Sequence, residues 1–367
     1  MKKRVLFVSC EGLGNGGVQA IIMGIVRNLH REYHFDILLF TSEKRYYDNE
    51  FLSYGGKIFR VPKYEGSNSL FRRLDYYIRD VYTYYRTKKI LEKEPPYDII
   101  HCNREFENAP LLFLASRLNI PVRISHAHII HQKSNIICTI LDRIRSKIIK
   151  RYATRMIGCS QQACKSLYMN CSRFEVVNNF YNDHKFSKET FNAYDIEGIV
   201  ISQIGAISNI KNQEFSIDVL SCLIRKGINA KLKIIGFDMD LTYKNALINK
   251  VNSHGLTDYV SFIPGDGNIP EELNKSNCYI MPSLHEGFGI ALIEAQAMGL
   301  QCFASTNIPL LTNCGNVKYL SLESGPDIWC EAIIEWYLNS EGKKNSCNTD
   351  AYKVSNVMNL YRKIYSI

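Results

Sequence analysis

The stretch Pro282-Ser-Leu-His-Glu-Gly-Phe-Gly-Ile-Ala-Leu-Ile-Glu-Ala-Gln-Ala-Met-Gly299 decides how the rest of the chain is read. The apolar run before it, Cys278–Met281, has the length of a buried strand. Gly287 and Gly289 let the backbone after that strand pass close to a ligand. A helix then begins near Ile290, and its free N–H groups and positive dipole end suit a phosphate. Glu286 lies on the loop before this helix. Glu294 lies one turn inside it, on the face pointing back toward the loop. Two carboxylates so placed can accept hydrogen bonds from sugar hydroxyls on either side of a bound diphosphate. Acid at a helix N-terminus is also favourable with the dipole alone, so the spacing by itself leaves both readings open.

Outward from this unit, strand and helix alternate in both directions. Toward the C-terminus come strand Gln301–Ala304, helix Asp327–Leu338 and a last helix, Ala351–Tyr365. Before it lie strand Ile199–Ile204, helix Asn212–Arg225, strand Lys231–Ile235, helix Leu241–His254, strand Val260–Phe262 and helical turn Pro270–Lys275. The first half repeats the rhythm. Strands are expected at Arg4–Ser9, Phe35–Phe40, Lys57–Val61, Asp98–Cys102, Val122–His126 and Met156–Cys159, with helices Val18–Leu29, Leu70–Lys93, Pro110–Leu118 and Asn135–Ala153. Such alternation implies parallel sheets covered on both faces. The polar stretch Asn182–Glu197 interrupts it and reads as a linker. Two doubly wound α/β domains follow, and ligands of such sheets bind beyond the carboxyl ends of the strands.

Composition agrees. The chain has 367 residues, about two domains' worth, with 46% hydrophobic and 22% charged residues, which excludes a disordered or collagenous protein. No apolar run approaches the ~20 residues of a membrane span, and the start, Met1-Lys-Lys-Arg4, does not continue as a signal peptide. The twelve cysteines form no C-x-x-C pair and read as buried reduced thiols of a cytoplasmic protein, not disulfides or zinc ligands. The net charge of +9 suits an anionic partner.

Glu286 and Glu294 are spaced as in the E-x7-E motif, and their E-G-F-G and E-A-x-A-x-G surroundings match as well. The chain thus resembles, over almost its whole length, the retaining family 4 glycosyltransferases of the GT-B fold, above all those building bacterial capsules and exopolysaccharides. The resemblance implies two Rossmann-like domains facing a central cleft. Residues 1–182 would form the acceptor-side domain, with helix 351–367 packing back on it, and residues 196–345 the nucleotide-sugar donor domain. It also implies that Glu294 holds the nucleotide ribose and Glu286 lies near the donor sugar. Gly287 and Phe288 would help bind the donor, and the backbone amides around Gly289, Ile290 and Ala291 would meet the diphosphate.

Other segments carry the resemblance further. Ile204-Gly-Ala-Ile-Ser-Asn-Ile-Lys-Asn-Gln213 follows a strand, and the family pattern there is Gly-Arg, four residues, then Lys. Gly205 and Lys211 match it, whereas Ala206 stands where the arginine is expected. Glu11-Gly-Leu-Gly-Asn-Gly-Gly-Val18 fits G-x-G-x-x-G, a weak dinucleotide signal by itself. The strand that follows ends at Phe40-Thr-Ser42 with no acid to grip a ribose. In the family, Gly16 and Gly17 would instead lie near donor phosphate and acceptor. Pro121-Val-Arg-Ile-Ser-His-Ala-His128 puts two histidines on one face of a strand tip. The family implies that His126 or His128 projects toward the sugar. A zinc site of these with His131 lacks a Cys or acidic partner at useful spacing. Asp238-Met-Asp240 reads as loop carboxylates, not a metal motif. Asn178-Asn-Phe-Tyr-Asn182 matches the family's interdomain signature only in part, Ser160 reads as a helix cap, and Leu310 replaces an expected acid.

The implied activity is that of a retaining hexosyltransferase-type enzyme. It would move a sugar from a nucleotide diphosphate sugar to a lipid-linked glycan in cell-surface polysaccharide synthesis, with no cofactor and no metal. Basic, aromatic tracts Phe71–Lys93 and Arg143–Arg155 suit an anionic membrane surface at the inner face of the cell membrane as well as solvated amphipathic helices. No motif for nucleic acid accompanies the charge. Two rivals remain at this level. One is a nucleotide-sugar-binding partner without catalysis, prompted by Ala206 and Leu310. The other is a dinucleotide-dependent enzyme, prompted by the first glycine loop.

Overall fold

The structure, a computed structural model, describes all residues except 1, 10, 11, 15, 65–71, 132–135, 187–197 and 367, and, within helices, the side chains of 72–76 and 136–138. Most of the expected linker Asn182–Glu197 lies outside the described residues. The chain divides into one unit of Met1–Asn179 with Val354–Ile367 and another of Phe180–Lys353.

The first unit holds strands β1 (Lys3–Ser9), β2 (Tyr33–Leu39), β3 (Ile58–Arg60), β4 (Ile99–Asn103), β5 (Val122–Ala127), β6 (Arg155–Gly158) and β7 (Glu175–Val176). Its helices are α1 (Gly17–Leu29), α2 (Asp48–Ser53), α3 (Arg72–Leu91), α4 (Asn108–Arg117), α5 (Ile136–Tyr152) and α6 (Gln161–Tyr168). The sheet order is β3-β2-β1-β4-β5-β6-β7. Every pairing is parallel, with Val5 of β1 opposite Phe35 of β2 and Ile99 of β4. Strand order therefore reverses at β1/β4, where open α/β sheets place their ligands. Val5 to Val8 are wholly buried, as a strand covered on both faces must be.

The second unit holds β8 (Ile199–Ile204), α7 (Gln213–Arg225), β9 (Ala230–Gly236), α8 (Leu241–Ser253), β10 (Val260–Pro264), α9 (Ile269–Asn274), β11 (Cys278–Met281), α10 (Ile290–Ala297), β12 (Gln301–Ser305), β13 (Val317–Leu320) and α11 (Gly325–Ser340). Its parallel sheet runs β10-β9-β8-β11-β12-β13, with the reversal at β8/β11. The core beneath it includes Ile201, Leu220, Leu232, Ile280, Phe303 and Trp329. Both doubly wound sheets expected from the sequence are present.

Local chemistry sets the helix boundaries. Ser160 caps α6 by accepting from the Ala163 N–H at 3.1 Å. Asp240 caps α8 through the Tyr243 N–H at 3.0 Å, and Asp238 pairs with Lys244 at 2.7 Å. α7 begins one residue later than its pattern suggests, because Asn212 adopts the left-handed conformation at φ 53°. The last helix is shorter than the expected Ala351–Tyr365. Lys353 is extended and pairs with Tyr181, so a single turn at Asp350–Tyr352 stops before α12 (Val354–Ile364). α12 packs within the first unit, where Arg362 forks onto Glu32 at 2.7–3.1 Å. The described cysteines are free.

Candidate active site

In the second unit, the loops after β8 and β11 meet at the strand-order reversal. Their backbones are joined by the Leu284 N–H, which donates to the Ile210 carbonyl at 2.8 Å, and by Asn212 Nδ2, which donates to the Pro282 carbonyl at 3.1 Å. Lys211 Nζ forms an ion pair with Glu286 Oε1, and the Ser283 hydroxyl donates to the same oxygen at 3.0 Å. Gln203 Nε2 fixes the Lys211 carbonyl at 2.7 Å. The lysine side chain lies over Gly205, where an added Cβ would sit 3.1 Å from both Cδ and Cε. Gly205 thus leaves room for Lys211 to cross. The Ala206 carbonyl accepts from Gln213 Nε2 at 2.9 Å.

α10 starts beside this ion pair in sequence. Its N-cap, Gly289, sits at φ 99°, a conformation glycine adopts without a Cβ penalty, and no side chain caps the helix. Its first N–H groups, at Ile290 and Ala291, have no intrahelical acceptor and stay available to an anion. Phe288 is buried edge-on against Tyr352, with ring centroids 5.9 Å apart, and so anchors the turn at Gly287. The Ser305 hydroxyl donates to the Ser283 carbonyl at 2.7 Å and holds the loop from the β12 side. Glu294, half-buried on α10, has no side-chain partner among the described residues, and burial pushes its carboxyl up to about 7. A cavity of about 170 Å³ opens at the ends of β9 and β10, lined by Ile207, Gly236, Asp238, Lys244, Pro264 and Asp266 among others.

The first unit carries a second polar cluster at its strand ends. His126 and His128 of the β5 tip are both buried, with ring centroids 3.9 Å apart. His126 Nδ1 is 3.1 Å from His101 Nε2, and His101 Nδ1 is 2.9 Å from the Tyr365 hydroxyl just beyond α12. His128 Nε2 bonds Asn103 Oδ1 at 2.8 Å. Glu105, at φ 53°, accepts from the His128 N–H at 2.7 Å and bonds His131 Nε2 at 3.1 Å. Burial holds His101 at about 3 and His128 at about 4, and pushes His126 well down too, so all three rings are neutral at pH 7. Tyr365, His101 and His126 thus form one hydrogen-bonded chain whose direction is set by the ring tautomers. It ends at His126 Nε2, a buried ring nitrogen with no hydrogen-bond partner among the described residues. Gly16 and Gly17 open α1 at the end of β1 and are exposed, with no side-chain cap on that helix.

The comparisons with known proteins fit these two units. Residues 186–354 match the family Glycosyl transferases group 1. The fold is that of a solved structure of Anabaena Alr3699/HepE in complex with UDP and glucose, at a TM-score of 0.73 and 14% identity, over 99% of each chain. Residues 186–354 form a Glycosyl transferases group 1 domain, and the whole chain has the GT-B fold. The chain is 25% identical over 351 residues to EpsF of Bacillus subtilis (strain 168), spanning 90% of the chain and 87% of EpsF. It is 24% identical over 288 residues to the capsular polysaccharide biosynthesis glycosyltransferase CapH of Staphylococcus aureus, spanning 77% of the chain and 76% of CapH.

The structure thus brings Gly205, Lys211 and Glu286 together in the second unit, where Gly287, Phe288, Gly289, Ile290, Ala291 and Glu294 follow on the same loop and helix. His126 and His128 meet in the first. The sequence pattern alone did not point to Ser283, Gln203, His101, Asn103, Glu105 or Tyr365. Each is a common residue on a strand, turn or helix end, and only the folded register makes it a neighbour. Among the described residues no group of three His, Cys, Asp or Glu side chains is arranged to hold a metal ion.

Proposed function

We propose that the glycosyltransferase takes its sugar from a nucleotide diphosphate sugar, transfers it with retention to a lipid-linked glycan, and does so in polysaccharide synthesis at the inner face of a membrane. The observation that carries the donor reading is the Lys211–Glu286–Ser283 cluster beside the uncapped N-terminus of α10. A cation and two free helix amides suit a diphosphate. Unpartnered Glu294 suits ribose hydroxyls, and Glu286 suits the sugar. In the first unit, Gly16 and Gly17 are read as substrate-bordering glycines, and His126 and His128 as neutral rings that hydrogen-bond a sugar. The chemistry asked of these groups is positioning and stabilisation of the departing diphosphate. The UDP in the Anabaena structure makes uridine the first base to try. The test is thermal unfolding with UDP-, GDP- and ADP-sugars. A ligand at 100 times its Kd should add ~2.7 kcal/mol of stability, and no shift with any of them would remove the donor reading.

Support for a lipid-borne acceptor comes from the first unit. On α3, Tyr77, Val81 and Tyr85 are exposed at i, i+4 spacing, as are Ile140 and Ile144 on α5. Exposed cations Arg86, Lys89, Arg143, Lys147 and Arg151 flank them. Among the described residues no helix is long and apolar enough to cross a membrane. An apolar face with a basic border suits docking on anionic lipid. Co-sedimentation with anionic vesicles should fall steeply with salt, since exposed charges are screened within ~10 Å at 0.1 M. Equal binding to neutral vesicles would reject the docking.

A further inference from the structure

We propose that the first unit holds a hexuronate, an acidic sugar whose carboxylate is gripped by Arg104, Arg79 and Lys63 at the carboxyl ends of β2, β3 and β4. This rests on the reading of the acceptor as a glycan and names the class of sugar that the glycan presents.

The site is a cavity of about 240 Å³. Phe40 reaches it from the end of β2, Lys63 from the loop after β3, Arg104 from the position after β4, and Arg79 and Tyr82 from the middle of α3. These strand ends lie on either side of the β1/β4 reversal, where this type of sheet binds ligands. The cavity has room for several waters, at the ~30 Å³ each takes in the liquid. It is smaller than the ~300–1,000 Å³ of a whole drug-sized ligand site, which is the scale of one sugar residue.

Arg104 is built into this site. It is only 6% exposed, and its guanidinium stacks 3.6 Å from the Phe40 ring centroid. Its backbone N–H donates to Asn108 Oδ1 at 2.8 Å. Glu107 pairs with Arg104 and, at 2.7 Å, with Arg79, so two guanidiniums are held together before a ligand arrives. Among the described lining residues, three cations stand against one carboxylate. An Arg104–Glu107 pair alone would serve to staple the turn between them. That role gives no reason for Arg79 and Lys63 to converge on the same open space from two further elements. A second carboxylate gives one, because the planar fork of a guanidinium matches its two oxygens.

The aromatic lining favours a sugar over a phosphate. Tyr64 and Tyr82 line the cavity with ring centroids 5.7 Å apart, and the Tyr82 hydroxyl donates to the Pro62 carbonyl at 3.2 Å. Rings add little to the binding of a phosphate. The C–H face of a sugar uses apolar surface, and small-molecule pockets combine aromatic lining with a few placed polar groups. The neighbours of Arg104 agree. Asn103 Oδ1 bonds His128 Nε2 at 2.8 Å, and Glu105 accepts from the His128 N–H at 2.7 Å. The loop that carries Arg104 therefore also carries the supports of a ring read as bonding a sugar.

The test uses the full-length protein in NMR titrations with methyl glucuronide and methyl galacturonide, each against its uncharged methyl hexoside. At least one hexuronate should bind about tenfold or more tightly than its neutral counterpart. Lys63→Gln with Arg79→Gln, both at positions open to solvent, should erase that preference and leave the neutral sugars unchanged. Arg104→Lys, which keeps the charge and loses the fork, should narrow it. Thermal unfolding shows that each variant is folded. No donor and no lipid is present, so a failed hexuronate site is told apart from a failed donor site or a failed lipid-linked acceptor, which are read separately. Four results overturn the proposal: no binding of either hexuronate, equal affinity for charged and neutral sugars, an unchanged preference in the Lys63/Arg79 variant, or inorganic diphosphate displacing the hexuronate at a lower concentration than the hexuronate needs to bind.

Discussion

Lys211→Ala is expected to lower the rate of sugar transfer by about 10²–10³-fold, the usual loss for one preorganised electrostatic donor. Two features make the loss severe here. Ala206 stands where a second cation would be expected from the family pattern, so Lys211 is the motif's remaining positive side chain. Its removal also strips Glu286 of its ion-pair partner and leaves that carboxylate with only the Ser283 hydroxyl. An unneutralised negative charge would then stand beside the diphosphate as it departs. The double variant Lys211→Ala, Glu286→Gln separates the two effects. If part of the loss is repulsion, the double variant recovers that part in rate. Ala206→Arg tests the same field from the other side. Leaving-group charge is larger in the transition state than in the bound donor, so a cation there should raise kcat more than donor affinity. Near-normal turnover by Lys211→Ala, with the donor identified, would show that the phosphate site lies elsewhere.

The sequence was most legible where one local pattern serves one element. The strands that carry the two sheets, the helix after Gly289 and the cap at Ser160 each follow from a few neighbouring residues. Strands β7 and β13 were not legible, because two and four residues at a sheet edge carry too little periodicity to separate from a loop. The break before α12 escaped for another reason. Residues 351–365 have helical character throughout, but Lys353 is drawn into pairing with Tyr181, a contact set by the fold and not by propensity. Site legibility divides in the same way. Glu286, Glu294 and Lys211 stand in recognisable motifs. The wire from Tyr365 through His101 to His126 does not, since it joins α12's end to β4 and β5, and a lone histidine in a strand is more often structural. A pocket lined by Lys63, Arg79 and Arg104 was equally hidden, since a loop, the middle of α3 and the residue after β4 become neighbours only in the fold.

Glu294 should show its role through both affinity and pH. Glu294→Ala is expected to weaken nucleotide binding roughly ten- to a hundredfold, the equivalent of losing about 1.5–3 kcal/mol in hydrogen bonds to a charged group. The pH behaviour is more specific. Burial raises this carboxyl from 4.5 to about 7, so the fold favours its neutral form. The stability this contributes is complete below pH 4.5 and is lost as pH rises through 7. Glu294→Gln, which stays neutral, should therefore match the wild type at pH 5 and exceed it by about 1–3 kcal/mol at pH 8 in thermal or urea unfolding. Nucleotide binding should run the other way. Ribose hydroxyls donate to the ionised carboxylate and favour it, so bound nucleotide lowers the proton affinity of Glu294 and releases a proton near neutrality. Wild-type affinity should then climb between pH 6 and 8 while that of Glu294→Gln stays flat. Calorimetry in two buffers of different ionisation enthalpy measures the proton directly. Affinity in the wild type that does not change with pH, or a glutamine variant that binds nucleotide as tightly at pH 8, would show that Glu294 does not hold the ribose.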